Sequence, residues 1–160
     1  MSFSHFEKRT VACVQLPGLK RKYYWLQEPI VAVMDDGSVR VTPSGRIIDA
    51  HSIPAVARIF TGHFVSIMPA GDHDENFLTG RVPRKVADSD YCKALLWFDE
   101  ARRRTAYARA GLWLGSWHTY NRYARLRAKY GADKVLSYHW AESEAEAIER
   151  AKKGLSRVLF

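Results

Sequence analysis

The chain has 160 residues and a formal net charge of +8, with 47% hydrophobic and 12% aromatic residues. That composition excludes an intrinsically disordered chain and predicts one domain, residues 1–160, with a packed core. The apolar runs are too short to span a membrane and the N-terminus lacks a secretory signal, so we expect a soluble, cytoplasmic protein.

The first part of the chain, residues 1–70, is rich in β-forming segments. Strands are predicted at Thr10–Leu16, Tyr23–Leu26, Ile30–Met34, Ser38–Thr42 and Arg46–Asp49. Asp35-Asp36-Gly37 is a strong hairpin signal, because glycine tolerates the positive φ of a tight turn. With a second turn at Pro43–Gly45, the last three strands should form a meander.

The segment that follows has weaker signals. Ser52 is predicted to cap a short helix. His63–Met68 is predicted to return to a strand, and Pro69–Arg84 to form a long polar connection.

From residue 86 onward the pattern becomes helical. Apolar residues three to four positions apart from Tyr91 to Leu112 predict a helix that begins at Asp88 or Ser89. Gly111 and Gly115 predict a bend, after which Ser116 should cap a second helix that ends at Gly131.

The last part, residues 132–160, is predicted to close the fold. Val135–Trp140 favours a strand, and Ser143–Glu146 is a capping box that opens a final helix. The sequence therefore predicts an α+β fold, in which a small antiparallel sheet from the first half packs against two central helices, with a closing strand and a C-terminal helix.

The basic residues are unevenly distributed. Residues 86–131 contain 9 basic and 4 acidic residues, whereas residues 132–160 contain 5 of each. No acidic residue lies between Glu100 and Asp133, although 8 basic and 6 aromatic residues do. Cations interleaved with flat rings suit a polyanion on whose bases the rings can stack, so we expect a non-enzymatic protein that binds DNA or RNA.

The candidate nucleic-acid-binding residues share this central region. The predicted phosphate contacts are Arg103, Arg104, Arg109, Arg122, Arg125 and Lys129, and the predicted stacking residues are Trp117 and Tyr120. In an alternative interpretation the aromatic residues fill the core and the cations form a solvated face. A second alternative is a small accessory or inhibitor protein that docks the same surface onto an acidic protein, since Trp, Tyr and Arg are enriched at binding hot spots.

A smaller basic segment combines Lys20, Arg21 and Lys22 with the aromatic residues Tyr23–Trp25. Such a loop could guide a single nucleic-acid strand. A solvated loop before a core strand explains the same residues.

The acidic segment Asp72-His73-Asp74-Glu75 contains the weak candidates for a metal site, namely Asp72, His73 and Asp74. Carboxylates with an imidazole could hold Mg²⁺ or Mn²⁺ in a nuclease. The segment lacks the spacing of a metal motif, however, so we expect an exposed polar loop, with no catalytic residue and no cofactor.

Cys13 and Cys92 have no metal-ligand spacing. We expect two buried thiols in a reducing compartment, and a single disulfide is left open. The oligomeric state has no signal in the sequence.

Overall fold

The computed structural model describes residues 2–19, 21–49, 66–98 and 102–155, with only the backbone of Arg104 and Leu114. These ranges form a mixed α+β fold, which confirms the predicted class. The strands are β1 (Phe3–Phe6), β2 (Cys13–Gln15), β3 (Tyr23–Leu26), β4 (Ile30–Met34), β5 (Val39–Thr42) and β6 (Ile47–Asp49). The helices are α1 (Ile67–Thr79), α2 (Arg84–Trp97), α3 (Arg102–Tyr130), α4 (Ala132–Tyr138) and α5 (Glu144–Lys153).

The strands form two small antiparallel sheets, ordered β1-β4-β5 and β2-β3-β6. The predicted hairpin is confirmed, because β4 pairs with β5 across a turn in which Gly37 has φ 79°. The predicted meander is wrong, since β6 pairs with β3 instead of β5. The Gly45 amide donates to the Leu26 carbonyl at 2.7 Å, which directs the chain toward β3. There Ile47 and Ile48 are both buried, whereas an outer strand of a meander would expose one side.

Strand β4 packs the first sheet onto the helices. Its alternate residues Ile30, Ala32 and Met34 are buried, as the two-residue period of a strand requires. They share a core cluster with Met68 of α1 and Ala94 of α2. The sheet therefore positions these two helices, on which α3 packs in turn.

Helix α1 occupies the segment predicted as a polar connection, so that prediction is wrong. The predicted strand His63–Met68 is also wrong where it is described, because Ile67 and Met68 begin this helix. Pro69 falls in the first turn, where its missing N–H costs no hydrogen bond. Met68, Phe77 and Leu78 are buried, and Gly80 ends the helix with φ 66°. The predicted helix after Ser52 lies outside the described residues.

Helix α3 runs unbroken for 29 residues. The predicted bend at Gly111 and Gly115 and the predicted cap at Ser116 are therefore wrong. The predicted helix from Asp88 or Ser89 through Leu112 is also wrong, because α2 begins at Arg84 and ends at Trp97, and α3 is a separate helix that begins at Arg102. Gly111 is buried, and the Ser116 hydroxyl donates to the Asp88 carboxylate at 2.7 Å instead of capping a helix. Packing against α2 offsets the roughly 1 kcal/mol that each helical glycine costs. The predicted end is confirmed, since Gly131 follows Tyr130 with φ 85°.

The closing region is helical where a strand was predicted. Val135–Tyr138 belongs to α4, and Trp140 alone forms a β-bridge, with Arg46. The Ser143 cap of α5 is confirmed, because its hydroxyl accepts a hydrogen bond from the Glu146 amide at 3.3 Å. The Glu146 carboxylate, however, accepts from the Glu142 amide at 2.9 Å and not from Ser143 as in a capping box. None of the helices in the described part of the chain is both long and apolar enough to cross a membrane.

Replacing the Ser143 cap should destabilise the protein measurably. We expect Ser143→Ala to lower the free energy of unfolding by about 1 kcal/mol in urea denaturation, because the Glu146 amide loses its acceptor. Ser143→Asp should retain most of the stability. The matched control is Ser89→Ala, an exposed position within α2. An equal loss in Ser89→Ala would contradict the capping role.

Candidate functional site

The cationic charge of the protein is concentrated in α3. This helix contains 8 basic residues and no acidic residue. The whole chain has 25 basic and 17 acidic residues, so the rest of the chain has 17 of each and no formal net charge. The net charge of +8 therefore equals that of one helix of about 43 Å.

One side of α3 packs against the other helices. Thr105, Ala108, Leu112, Ser116 and Leu126 are buried and recur at helical spacing. Two of them, Ala108 and Leu112, share a core cluster with residues of α1 and α2. The opposite side of the helix is consequently open to solvent.

Two indole rings lie on the open side. Trp113 is 74% exposed and Trp117 is 51% exposed. They are four residues apart, which places them on neighbouring turns about 6 Å apart along the helix axis. Because large aromatic side chains are normally well covered, this pair marks the helix surface as a candidate binding site.

Cations lie on the same side as the indoles. At 3.6 residues per turn, Trp113 and Trp117 share an arc of about 120° with Arg103 and Arg125. Lys129 lies at the margin of this arc. Arg103, Arg125 and Lys129 are all exposed, and none pairs with a carboxylate of the described residues. We call Arg103, Trp113, Trp117, Arg125 and Lys129 the α3 outer face.

Other predicted contact residues of α3 have different positions. The Tyr120 hydroxyl donates to the Val82 carbonyl at 3.1 Å, and its ring meets Phe77 edge-on at 5.2 Å. It therefore packs between helices and is not placed to stack on a base as predicted. Arg109 is exposed and lies close enough to act on the Cys92 thiol, whose pKa burial raises and the Arg109 charge lowers. The side chain of Arg104 lies outside the described residues.

Arg122 is less exposed than a phosphate-binding residue should be. It is half-buried, and its charge acts on the buried His139. Burial, with the charges of Arg46 and Arg122, lowers the pKa of His139 to about 3. Arg122 belongs to a buried cationic environment that keeps His139 neutral, and we leave it out of the α3 outer face.

The second basic segment is not part of this face. Lys20 lies outside the described residues, Lys22 is exposed, and Arg21 lies 3.7 Å from the Asp49 carboxylate. The neighbouring Trp25 is half-buried and donates its ring N–H to the Ala141 carbonyl at 3.1 Å. Tyr23 and Trp25 pack against the core cluster next to α5, and the half-buried Tyr24 packs against the cluster of the first sheet.

The Asp72–Glu75 segment is buried on α1, so the predicted exposed loop is wrong. The Asp72 carboxylate accepts hydrogen bonds from Arg81 at 2.9 Å and Asn76 at 3.0 Å, and Arg40 lies 3.7 Å away. Burial raises the pKa of Asp72, while the two arginines act in the opposite direction. In the described ranges, no group of three or more ligand side chains could hold a metal ion.

A second buried cluster joins α1, α2 and α3. His73 Nε2 lies 3.0 Å from one oxygen of Asp88, and the Ser116 hydroxyl donates to the other oxygen at 2.7 Å. Arg84 contacts both Asp88 and Ser116. Asp88 lies between the serine and the imidazole, so Ser116 and His73 do not form the directly hydrogen-bonded pair of a Ser–His nucleophile. Ser116 and His73 are also buried, and this arrangement holds helices together without the geometry of a nucleophile.

Sequence reasoning missed the buried arginines of the strands. In β5 the apolar Val39 and Val41 are exposed, whereas Arg40 and Thr42 are buried. Arg40 donates to the Asp90 carboxylate at 2.6 Å, and Arg46 lies 2.7 Å from the Glu75 carboxylate. The alternation of β5 was a visible signal, but nothing local indicated that the polar side faces inward.

A polar groove of about 420 Å³ lies against α5. Its charged lining residues pair with each other: Arg150 donates to Glu146 at 2.6 Å, and Lys153 pairs with Glu149. The groove therefore presents balanced charge and does not select an anionic or a cationic ligand.

Comparisons of the chain with protein-family models, with curated proteins and with solved structures found no match. The candidate site consequently depends on geometry and chemistry alone.

The Arg40–Asp90 pair should be essential for stability. We expect Asp90→Ala to lower the free energy of unfolding by about 3–5 kcal/mol, because Arg40 would remain buried without its closest partner. Urea denaturation measures the loss. The control Glu142→Ala removes an exposed carboxylate and should change stability by less than about 0.5 kcal/mol. If Asp90→Ala lowered the free energy of unfolding as little as Glu142→Ala does, the Arg40–Asp90 pair would not be essential for stability.

Neutral His139 should make the protein less stable in acid. Its pKa is lower in the folded state than in the unfolded chain, so the unfolded chain binds more protons between pH 6.5 and about 3. Stability from this group is present above pH 6.5 and is lost as the pH falls. Between pH 7 and pH 5 we expect a loss of about 2 kcal/mol that is missing in His139→Gln. Parallel pH profiles of the two proteins in urea denaturation would disprove this assignment.

Proposed function

We propose that this protein is a non-enzymatic nucleic-acid-binding protein that uses the α3 outer face. The observation that carries the proposal is the exposure of Trp113 and Trp117 beside Arg103 and Arg125 on a helix without an acidic residue. Arginine and lysine neutralise phosphates and release counterions, and indoles stack on bases. These are the two interactions that a nucleic acid offers to one continuous surface.

The distribution of the other charges supports the proposal. Asp72, Asp90 and Glu75 are buried and paired with arginines outside α3, so these carboxylates do not neutralise its cations. Uncompensated positive charge of this density repels itself and is stabilised by a polyanion. A bound nucleic acid would provide a counter-charge for these cations.

A cytoplasmic location is part of the same proposal. Cys13 and Cys92 are both free thiols, which suits a reducing compartment where nucleic acid is accessible. An acidic protein surface would attract the same side chains, so that partner class is an outcome of the tests below.

Charge reversal on the α3 outer face should weaken nucleic-acid binding and reduce its salt dependence. We expect Arg103→Glu with Arg125→Glu to weaken binding of labelled oligonucleotides at least tenfold, because two phosphate contacts become repulsive. Fluorescence anisotropy at several salt concentrations measures the affinity and its salt dependence. The slope of log affinity against log salt should become shallower by roughly 1.4 to 1.8, at about 0.7 to 0.9 for each of the two lost phosphate contacts.

The matched control makes the same change of charge elsewhere. Lys8→Glu with Lys152→Glu alters two exposed lysines outside α3, one after β1 and one on α5. It should retain affinity within about threefold, since exposed charges more than a Debye length away are screened. A salt slope near zero for the unmodified protein would overturn the proposal, as would equal weakening by both double variants.

Capture experiments separate the two partner classes. If the partner is nucleic acid, immobilised protein should release its bound material after treatment with nuclease. The partner would instead be a protein if an acidic protein stays bound after nuclease treatment. The variant Arg103→Glu with Arg125→Glu should then fail to capture that protein.

A further inference from the structure

We infer that the α3 outer face binds single-stranded rather than duplex nucleic acid, with unstacked bases on Trp113 and Trp117. This inference rests on the proposed function and adds the form of the ligand. It is carried by the central position of the two exposed indoles between Arg103 and Arg125.

The indole rings are accessible along their faces. One turn before Trp113 lie the exposed Ala110, which carries only a methyl group, and the exposed Arg109. The half-buried Gly115 between the two rings has no side chain at all. Trp113, the more exposed ring, is therefore open to a flat ligand, while Trp117 has the His118 ring as a perpendicular neighbour, with the two ring centroids 5.7 Å apart.

The spacing of the rings favours a strand whose bases are not stacked on each other. Trp113 and Trp117 are about 6 Å apart along the helix axis. Successive bases of one strand in B-DNA are only about 3.4 Å apart. For two neighbouring bases each to contact one ring, the strand must be extended beyond the duplex spacing, which a single strand permits and a base-paired strand resists.

A duplex offers little to the centre of this face. Its base faces are covered by stacking, and only the base edges are reachable in the grooves. Reading those edges requires bidentate donors and acceptors such as Arg or Asn at the contact. The centre instead presents two indoles, each with a single N–H donor. A duplex would therefore contact the cations while Trp113 and Trp117 gained no stacking partner.

The cations are positioned to hold the strand on both sides of the rings. Arg103 lies ten residues before Trp113, or about 15 Å along the axis, and Arg125 lies eight residues after Trp117, or about 12 Å. Both guanidinium groups lack a carboxylate partner among the described residues. Phosphates on either side of the stacked bases therefore meet a positive charge.

Charge also distinguishes this ligand from a second copy of the chain. Two copies paired through their outer faces would bring together two helices that each carry 8 basic and no acidic residues. Like charges in a shared interface cost free energy, and the indoles alone must offset that repulsion. An extended polyanion with aromatic bases satisfies the cations and the rings together.

The test compares four ligands of equal length, each fluorescently labelled: single-stranded DNA, single-stranded RNA, duplex DNA, and an abasic single strand that keeps the phosphates. The unmodified protein should bind one or both of the single strands at least tenfold more tightly than the duplex at the same salt concentration. It should bind the abasic strand at least tenfold more weakly than the matching strand with bases, because the phosphates remain and stacking is lost.

Removing the indole rings from the protein should weaken binding as much as removing the bases from the single strand. Trp113→Ala with Trp117→Ala should weaken single-strand binding at least tenfold and leave duplex and abasic binding within about twofold. Trp113→Phe with Trp117→Phe keeps flat rings and should restore most of the affinity. Trp113→Ala alone, at the more exposed position, provides a second variant that the fold tolerates, verified by an unchanged thermal unfolding midpoint.

The outcomes separate this inference from the proposed function. Salt-dependent binding with equal or greater affinity for the duplex would overturn the single-strand inference and leave the proposed function intact. Single-strand binding that is insensitive to both the alanine pair and the loss of the bases would have the same effect. Absence of salt-dependent binding to all four ligands would overturn both.

Discussion

The structure depends on buried ion pairs that attach the helices to the two small sheets. Arg40 of β5 lies 2.6 Å from Asp90 of α2, and Arg46 lies 2.7 Å from Glu75 of α1. Their side chains are almost fully buried, so each charge needs its partner to offset the cost of leaving water. The pairs fix how α1 and α2 sit on the strands, and α3 then packs on this base.

The same pairs account for the charge of the surface. Because Asp72, Glu75, Asp88 and Asp90 hold arginines or a histidine inside the fold, none of them is available to the exposed cations of α3. These four carboxylates therefore do not reduce the positive charge of the helix surface. Self-repulsion of that charge weakens the compact state, whereas the buried pairs and the apolar contacts of Ala108 and Leu112 oppose it.

Local signals predicted the elements whose stability is local. The turn at Gly37, the end of α3 at Gly131 and the Ser143 cap follow from the conformational freedom of glycine or from one nearby hydrogen bond. The sequence also showed the run of basic and aromatic residues without an acidic residue, because composition alone reveals it. Helical spacing places Trp117, Arg103 and Arg125 on one side of α3, but it does not say which side faces the solvent.

Predictions failed where distant partners outweigh local preference. Asp72–Glu75 resembled a loop because its acids were assumed to face water, but Arg40, Arg81 and Arg46 neutralise them inside the fold. Gly111 and Gly115 resembled a break, but packing on α2 carries α3 through them. Tyr120 was expected to stack on a base, yet its hydroxyl is taken by the Val82 carbonyl.

The amino-acid sequence by itself determined the α+β class, the turn and capping signals, and the concentration of positive charge between residues 102 and 130. Only the tertiary structure decided which aromatic rings are exposed, which charges are paired and which side of β5 faces inward. These features depend on contacts between residues that are distant in the sequence. Arg40 and Asp90, for example, are 50 positions apart, so no local sequence pattern predicts their ion pair.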